Sequence, residues 1–277
     1  MSAITKTIWL IESRSSDPLT LDDMAAHAGV SRSHLSRIFP LATGYSISAY
    51  LRGRRLSEAA KALAGGAPDI LAVALDAGYG SHEAFTRAFR DQFGITPDEV
   101  RRRRSLDNLS IVEPLPMNAN TATKLPEPVI ERRPAMRIAG LMGRHEMSNS
   151  NGIPQQWQRF GAYIGNVPGA VPGAAYGVVP DADESTCEYM SGVEVTASAE
   201  LPKEFKVLDV PAQLYARHRH QGHISTIRST IGAIYGQWLP QSGYRQAEGI
   251  SFIENYGPDF NPATGLGTVE IWIGLED

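Results

Sequence analysis

The chain has 277 residues, 42% of them hydrophobic and 20% charged, enough for two globular domains that each bury a core. Its one cysteine, Cys187, excludes an internal disulfide and fits a reducing cytoplasm, and no apolar run approaches membrane-spanning length. Residues 1–106 hold 14 Lys and Arg against 11 Asp and Glu, a net of +3, while the remainder holds 12 against 19, a net of −7, so affinity for nucleic-acid phosphate belongs to the first part.

The opening MSAITKTIWLIES places Ile4, Ile8 and Ile11 at helical spacing without a small-residue cleavage site, which predicts a first helix rather than a signal peptide. After the break at Asp17-Pro18, Thr20 is placed to cap a short helix carrying Leu21, Met24 and Ala25, with Asp22 and Asp23 suiting its positive end. Gly29 then permits a sharp turn, and Ser31 caps a second helix with Leu35, Ile38 and Phe39 inward. About fifty residues later the same grammar recurs in Ile70, Val73 and Ala74, then Gly78 and Ser81, then Phe85, Ala88 and Phe89. A long helix from about Ile47 to Ala64 connects the copies, and Pro97 to Arg104 forms a final short one ending in four arginines. Pro40, lacking an N–H, is expected to end the first copy's second helix early. Pro114, Pro116, Pro126 and Pro128 then mark an interdomain linker.

In a helix-turn-helix the second helix enters the major groove and its exposed polar side chains reach base edges and phosphates. The periodicity leaves Arg32, Ser33, Ser36 and Arg37 available in the first copy, and His82, Glu83, Thr86 and Arg87 in the second. Two such helices on one rigid connector would read successive major-groove segments about 34 Å apart. Glu83 is awkward beside phosphates unless it accepts from cytosine N4. Residues 4–104 resemble the DNA-binding domain of the AraC/XylS family of transcription regulators, on Leu21-x-x-Met24-Ala25-x-x-x-Gly29-Val30-Ser31, Leu35-x-Arg37-x-Phe39, Gly78-Tyr79, Phe85-x-Arg87-x-Phe89 and Phe93-Gly94-Ile95-Thr96-Pro97. The resemblance implies that Ser33, Ser36, Arg37, His82, Glu83, Thr86 and Arg87 face DNA.

The second part repeats internally. Arg133-Pro134-Ala135-Met136 parallels Val210-Pro211-Ala212-Gln213, and Val193-Glu194-Val195 parallels Val269-Glu270-Ile271, with 60 positions from Pro134 to Glu194 and 59 from Pro211 to Glu270. Helical segments near Pro154–Asn166 and Ser225–Leu239 lie between these landmarks, so each half reads strand, helix, strands. The fold class expected is thus two domains: an all-α double helix-turn-helix domain (1–106), a linker (107–126) and an α+β domain of two pseudo-equivalent halves (127–277).

That second domain is similar to the GyrI-like effector-binding domain, on Tyr189-Met-Ser-Gly-Val-Glu194, His218-Arg-His-Gln-Gly222, Trp238-Leu-Pro-Gln-Ser-Gly-Tyr244, Phe252-Ile-Glu254-Asn-Tyr256 and Val269-Glu270-Ile-Trp272. The resemblance implies a pocket at the junction of the halves that accepts bulky aromatic or cationic molecules. Strand alternation puts Phe252, Glu254 and Tyr256 on one face, and Glu270 beside Trp272. A carboxylate among aromatic rings suits an organic cation, so Glu254 and then Glu270 are the candidate ligand carboxylates, with Tyr256, Trp272, Trp157, Tyr189 and Trp238 as candidate walls. His218, His220 and His223 lack the nearby cysteine or acidic cluster that would complete a tetrahedral metal set, and neither a phosphate loop nor a nucleophile elbow occurs. The sequence therefore predicts a non-enzymatic, cytoplasmic transcription regulator with no metal or cofactor. Its expected partners are double-stranded promoter DNA, a small-molecule effector and RNA polymerase, with no membrane. A hydrolase or a ligand-sequestering protein using a pocket Glu is the alternative.

Overall fold

The computed structural model describes residues 1–115, 125–146, 152–183, 186–196 and 200–276. Residues 116–124, within the predicted linker, lie outside that description. The chain divides into two compact units, one of Ala3–Leu35 and Ser46–Met117, the other of Ser36–Tyr45 and Asn118–Asp277.

Helix α1 (Ala3–Ser13) buries Ile4, Ile8 and Ile11, as their spacing predicts. A capping box opens α2 (Leu21–Ala28): the Asp23 N–H donates to Thr20 Oγ1 at 3.1 Å and the Thr20 N–H to Asp23 Oδ2 at 3.0 Å. Gly29 stops it at φ +76°, a left-handed conformation that L side chains rarely adopt. In α3 (Arg32–Thr43) the His34 N–H donates to Ser31 Oγ at 3.1 Å. The connector α4 (Ile47–Ala64) follows, and the second copy repeats the plan with α5 (Ile70–Asp76), Gly78 at φ +79° and α6 (His82–Phe93), the Ala84 N–H donating to Ser81 Oγ at 3.2 Å. Helix α7 (Pro97–Arg103) closes the series.

Pro40 does not end α3 early. The helix continues to Thr43, and Pro40 sits inside it. The ring removes one amide donor, but the next turn keeps its own bonds: Gly44 N–H to the Pro40 carbonyl at 2.8 Å and Thr43 Oγ1 to the Phe39 carbonyl at 2.8 Å.

Phe85, Phe89 and Phe93 recur every fourth residue on α6 and are buried with Leu56, Leu63, Ile70 and Val100, their rings meeting at 5.5 and 4.7 Å. Each buried ring of this size contributes about 1.5–3 kcal/mol. The start of the proline-rich stretch also packs here. Leu106, Leu109 and Ile111 lie against the core, and the Val112 N–H donates to Ser57 Oγ at 2.9 Å while its carbonyl accepts from Arg54 Nη1 at 2.8 Å. Residues up to Leu115 are thus strapped to α4 by apolar contacts that the spacing of the prolines conceals.

The second part is an eight-stranded antiparallel sheet. Its strands are β1 (Val129–Arg133), β2 (Met136–Glu146), β3 (Ala170–Val179), β4 (Thr186–Val195), β5 (Lys206–Val210), β6 (Gln213–His220), β7 (Phe252–Tyr256) and β8 (Val269–Leu275). They lie in the order β1-β6-β8-β7-β3-β4-β2-β5. Helix α8 (Gly152–Gly161) lies between β2 and β3, and α9 (Ile227–Ala233), a π-helical turn (Ile234–Trp238) and α10 (Leu239–Gln241) lie between β6 and β7. The helical segment expected over Ser225–Leu239 is present and runs on without a gap to Gln241, with a π-helical turn at Ile234–Trp238 beside Pro240, which has no N–H to offer the Gly236 carbonyl.

Each half therefore has two strands before its helix, where one was expected. The extra strands, β1 and β5, are the sheet edges, and their sequences VIERR and KVLDV do not alternate apolar with polar residues, so they lack the signal that marks a half-buried strand, although Leu208 and Val210 pack on the core. The Pro134-Ala135 and Pro211-Ala212 landmarks are the two-residue links between β1 and β2 and between β5 and β6. Neither link makes a hairpin: β1 pairs with β6, and β5 pairs with β2. Each half lends its first strand to the other, and the strand order reads alike from both ends. Central β3 and β7 pair from Ala175↔Tyr256 to Val179↔Phe252, so the pair Gly177↔Glu254 sits at the middle of the repeat.

Candidate functional site

Of the residues expected at DNA, Arg32, Ser33, His82, Glu83 and Arg87 are exposed, while Ser36, Arg37 and Thr86 are half-buried. The Arg37 Nε and Thr86 Oγ1 atoms are buried without a hydrogen-bond partner among the described residues. The Glu83 carboxylate accepts from its own backbone N–H and from Ser81, which holds its pKa below the ordinary value and makes it a cap on α6. That local role explains an anion on a face meant for phosphate. Of the terminal arginines, Arg101 pairs with Asp98 at 2.8 Å and Arg103 with Glu99, each within α7's own surface.

In the second part a cavity lies over β3, β4 and β7, flanked by α8 and by Ile224–Ile231. The register places Glu254, Tyr256, Gly177 and Tyr189 on the sheet face toward it. Glu254 is buried, 6% exposed, and its Oε2 accepts from Tyr189 Oη at 2.6 Å and Tyr256 Oη at 2.8 Å. Trp157 on α8 donates its Nε1–H to Tyr189 Oη at 2.8 Å and meets the Tyr256 ring edge-on at 4.9 Å. Because the indole can only donate, Tyr189 spends its own proton on Glu254. Burial pushes the Glu254 carboxyl up; the two phenolic hydrogen bonds and the field of Arg228 pull it partly back. Gly177 makes the arrangement possible, since a Cβ there would lie 2.1 Å from Tyr189 Oη and 2.5 Å from Glu254 Oε2. Cys187 also lines the cavity, its thiol pushed up to about 11 by burial.

The other expected ligand residues lie elsewhere. Glu270 and Trp272 are adjacent, with Trp272 Nε1–H donating to Glu270 Oε2 at 2.9 Å, but the register Asn255↔Glu270 and Ile253↔Trp272 puts both on the face opposite Glu254. Arg217 grips Glu270 with Nε at 3.1 Å and Nη2 at 2.8 and 2.9 Å, reaches Glu131 at 2.5 Å, and lies with Arg133 over the Trp272 ring. Trp238 packs edge-on against His218 at 4.5 Å and stacks on Tyr244.

Gly177 and Arg228 are the members that residue types alone did not suggest. The repeat held a signal for the first: Gly177 and Glu254 each lie 43 positions after their landmark proline, Pro134 or Pro211.

His218 and His220 share a sheet face, but His220 bonds Thr230 Oγ1 at 2.8 Å. Among the described residues no three His, Cys, Asp or Glu side chains converge as a metal set. His218 is fully buried, neither ring nitrogen has a partner among the described residues, and burial pushes it down to about 4. The unfolded chain binds the proton first, so stability is full above the ordinary histidine pKa near 6.5 and falls as pH drops toward about 4. The expected loss is about 3 kcal/mol. Leu141 stands in the same place of the other half, seven residues after Pro134 as His218 is after Pro211. His218→Leu should therefore flatten the thermal stability profile between pH 6.5 and 4; an unaltered profile would place the acid sensitivity elsewhere.

Tandem helix-turn-helix copies with polar second helices, followed by a duplicated domain with a charged aromatic cavity, define a ligand-responsive DNA-binding protein. The family model of a GyrI-like small molecule binding domain matches residues 126–276, and that of a helix-turn-helix domain matches residues 24–103. The chain is 31% identical over 275 residues to the transcriptional regulator Rob of Salmonella typhimurium, covering 93% of this chain and 91% of that protein. It is 31% identical over 268 residues to the right origin-binding protein of Escherichia coli K12, covering 91% and 88%. An AraC-type regulator structure from Chromobacterium violaceum is 33% identical, covering 38% of this chain and 94% of that one with a TM-score of 0.36. The chain belongs to the AraC/XylS family of transcription regulators, in a form whose second domain is GyrI-like. It is a DNA-binding transcriptional regulator with a small-molecule-binding domain. Among the described residues no helix is long and apolar enough to cross a membrane.

Proposed function

We propose that the effector is an organic cation bearing aromatic rings and that Glu254 is its charge partner, with Trp157, Tyr189 and Tyr256 as the wall. The buried carboxylate held by two neutral phenols carries this reading: those bonds stabilise the anion without cancelling its charge. Glu270, Trp272 and Trp238 serve packing and the Arg217 network instead. The domain is a receptor rather than an enzyme, residues 1–106 bind promoter DNA, 107–126 link, and 127–277 sense. Such a regulator works in the cytoplasm, with RNA polymerase as its partner at the promoter.

The test is footprinting of the full chain on the promoter of its own gene, with and without tetraphenylphosphonium, a lipophilic aryl cation. The expected result is a protected site whose occupancy changes with the cation. A cation that raises the melting temperature yet leaves occupancy unchanged would make the protein a sequestering module, and turnover of an ester panel would make it a hydrolase.

Arg32, Ser33, Ser36, Arg37, His82, Thr86 and Arg87 make the DNA contacts in this reading, with Glu83 able to accept from cytosine while it caps α6. Arg87 is exposed where Arg37 is half-buried. Arg87→Ala is expected to cost about 1–3 kcal/mol in specific binding, and Arg37→Ala less. Equal losses on specific and random DNA in a mobility-shift titration would reassign both to phosphate.

A further inference from the structure

Gln156 is a polar side chain, 5% exposed, where α8 packs on the sheet. A hydrocarbon would fill that position with no polar group to satisfy. Its amide Nε2 instead donates to the carbonyls of Leu141 at 2.8 Å and Tyr189 at 3.0 Å, with Ser191 Oγ at 3.3 Å. Both protons are thereby committed, which orients the amide and leaves Oε1 to face His145 Nε2 at 2.7 Å. That ring nitrogen must carry a proton, because two acceptors would repel at this distance.

The next residue on α8 is Trp157, which donates to the phenol of the same Tyr189 whose carbonyl Gln156 holds. Two consecutive residues of one helix thus grip one strand residue at its backbone and at its tip. Tyr189 then donates to Glu254, so the chain of contacts runs from Gln156 through Tyr189 to the carboxylate. We propose that Gln156 is a positioning residue of the effector site, locking α8 to β4 so that Trp157 and Tyr189 hold Glu254 ready for a cation. This rests on the reading of Glu254 as the cation's partner. If Tyr189 drifts, the carboxylate loses a donor that favours its charged form and competes less well against a proton. A neutral aromatic ligand, held by the rings alone, is insensitive to that loss.

The experiment uses the full chain with Gln156→Met, which keeps length and removes the hydrogen bonds. Binding of tetraphenylphosphonium and of uncharged triphenylmethanol is measured by calorimetry across pH. The expected result is a roughly tenfold greater loss for the cation than for the neutral probe, with the pH midpoint of cation binding moved up. In a Glu254→Gln background, Gln156→Met should cost the cation no more than it costs the neutral probe. His145→Phe, which removes only the partner of Oε1, should act in the same direction more weakly and serves if Gln156→Met does not fold. Equal weakening of both probes, an unmoved midpoint, or additive effects in the double variant would make Gln156 a structural residue while leaving Glu254 in place. A parent chain that binds both probes alike, or a Glu254→Gln chain that binds the cation as well as the parent, would sink the effector reading and this inference with it.

Discussion

Glu254→Gln is expected to weaken a bound aryl cation by at least about tenfold while a neutral aromatic ligand and promoter DNA bind nearly as before, because truncating one partner of a buried charge pair costs about 2–5 kcal/mol. Gln keeps the size and an acceptor for Tyr189 and Tyr256, whose hydroxyls lie 2.6 and 2.8 Å from Oε2. The pH dependence has a definite sign. Burial raises the folded-state pKa of Glu254, so a proton and the cation compete for the same carboxylate, and cation affinity falls as pH drops through that raised value. The same shift acts on the empty domain in reverse. The unfolded chain gives up this proton first, so stability is full below the ordinary carboxylate pKa and is lost as pH rises through the folded one. At neutral pH the empty Glu254→Gln protein should melt no lower than the parent. Calorimetric titration and thermal melts over pH check both halves. A mutant that still prefers cations would make Glu254 a strand residue with no ligand role.

Arg54→Ala should lower the stability of the helical part by about 3–5 kcal/mol, the cost of stranding one partner of a buried ion pair. Arg54 lies on α4 with its side chain 6% exposed, and it meets Glu12 of α1 through Nε at 2.9 and 3.1 Å and Nη2 at 2.9 Å. Its Nη1 holds the Val112 carbonyl at 2.8 Å, and Tyr50 Oη donates to the same Glu12 at 2.6 Å while accepting from the Leu115 N–H at 2.8 Å. One guanidinium thus joins the first helix, the connector and the strapped segment beyond α7. Denaturant unfolding is the measurement, and hydrogen exchange at residues 112–115 should rise with the loss of the strap. Pairing Arg54→Met with Glu12→Leu should recover much of the stability, since an apolar pair leaves no charge unmatched. A loss under 1 kcal/mol for Arg54→Ala would show that solvent reaches Glu12 freely.

The helical half was legible because its signals are local. Thr20, Ser31, Ser81, Gly29 and Gly78 act within four residues of themselves, and the Phe85, Phe89, Phe93 stripe needs only the period of a helix. Pro40 misled because its cost is also local, whereas the rest of α3 keeps its hydrogen bonds. In the second half the repeat of Pro134 and Pro211, the shared face of Phe252, Glu254 and Tyr256, and the adjacency of Glu270 and Trp272 followed from the sequence by spacing alone. Tertiary structure decided which face each strand turns to the cavity, and therefore that Glu254 joins Tyr189 and Trp157 while Glu270 joins Arg217. It also decided that β1 and β5 exchange halves. Alternation fixes which residues share a face, but pairing between strands far apart in the chain determines which face is buried and beside whom.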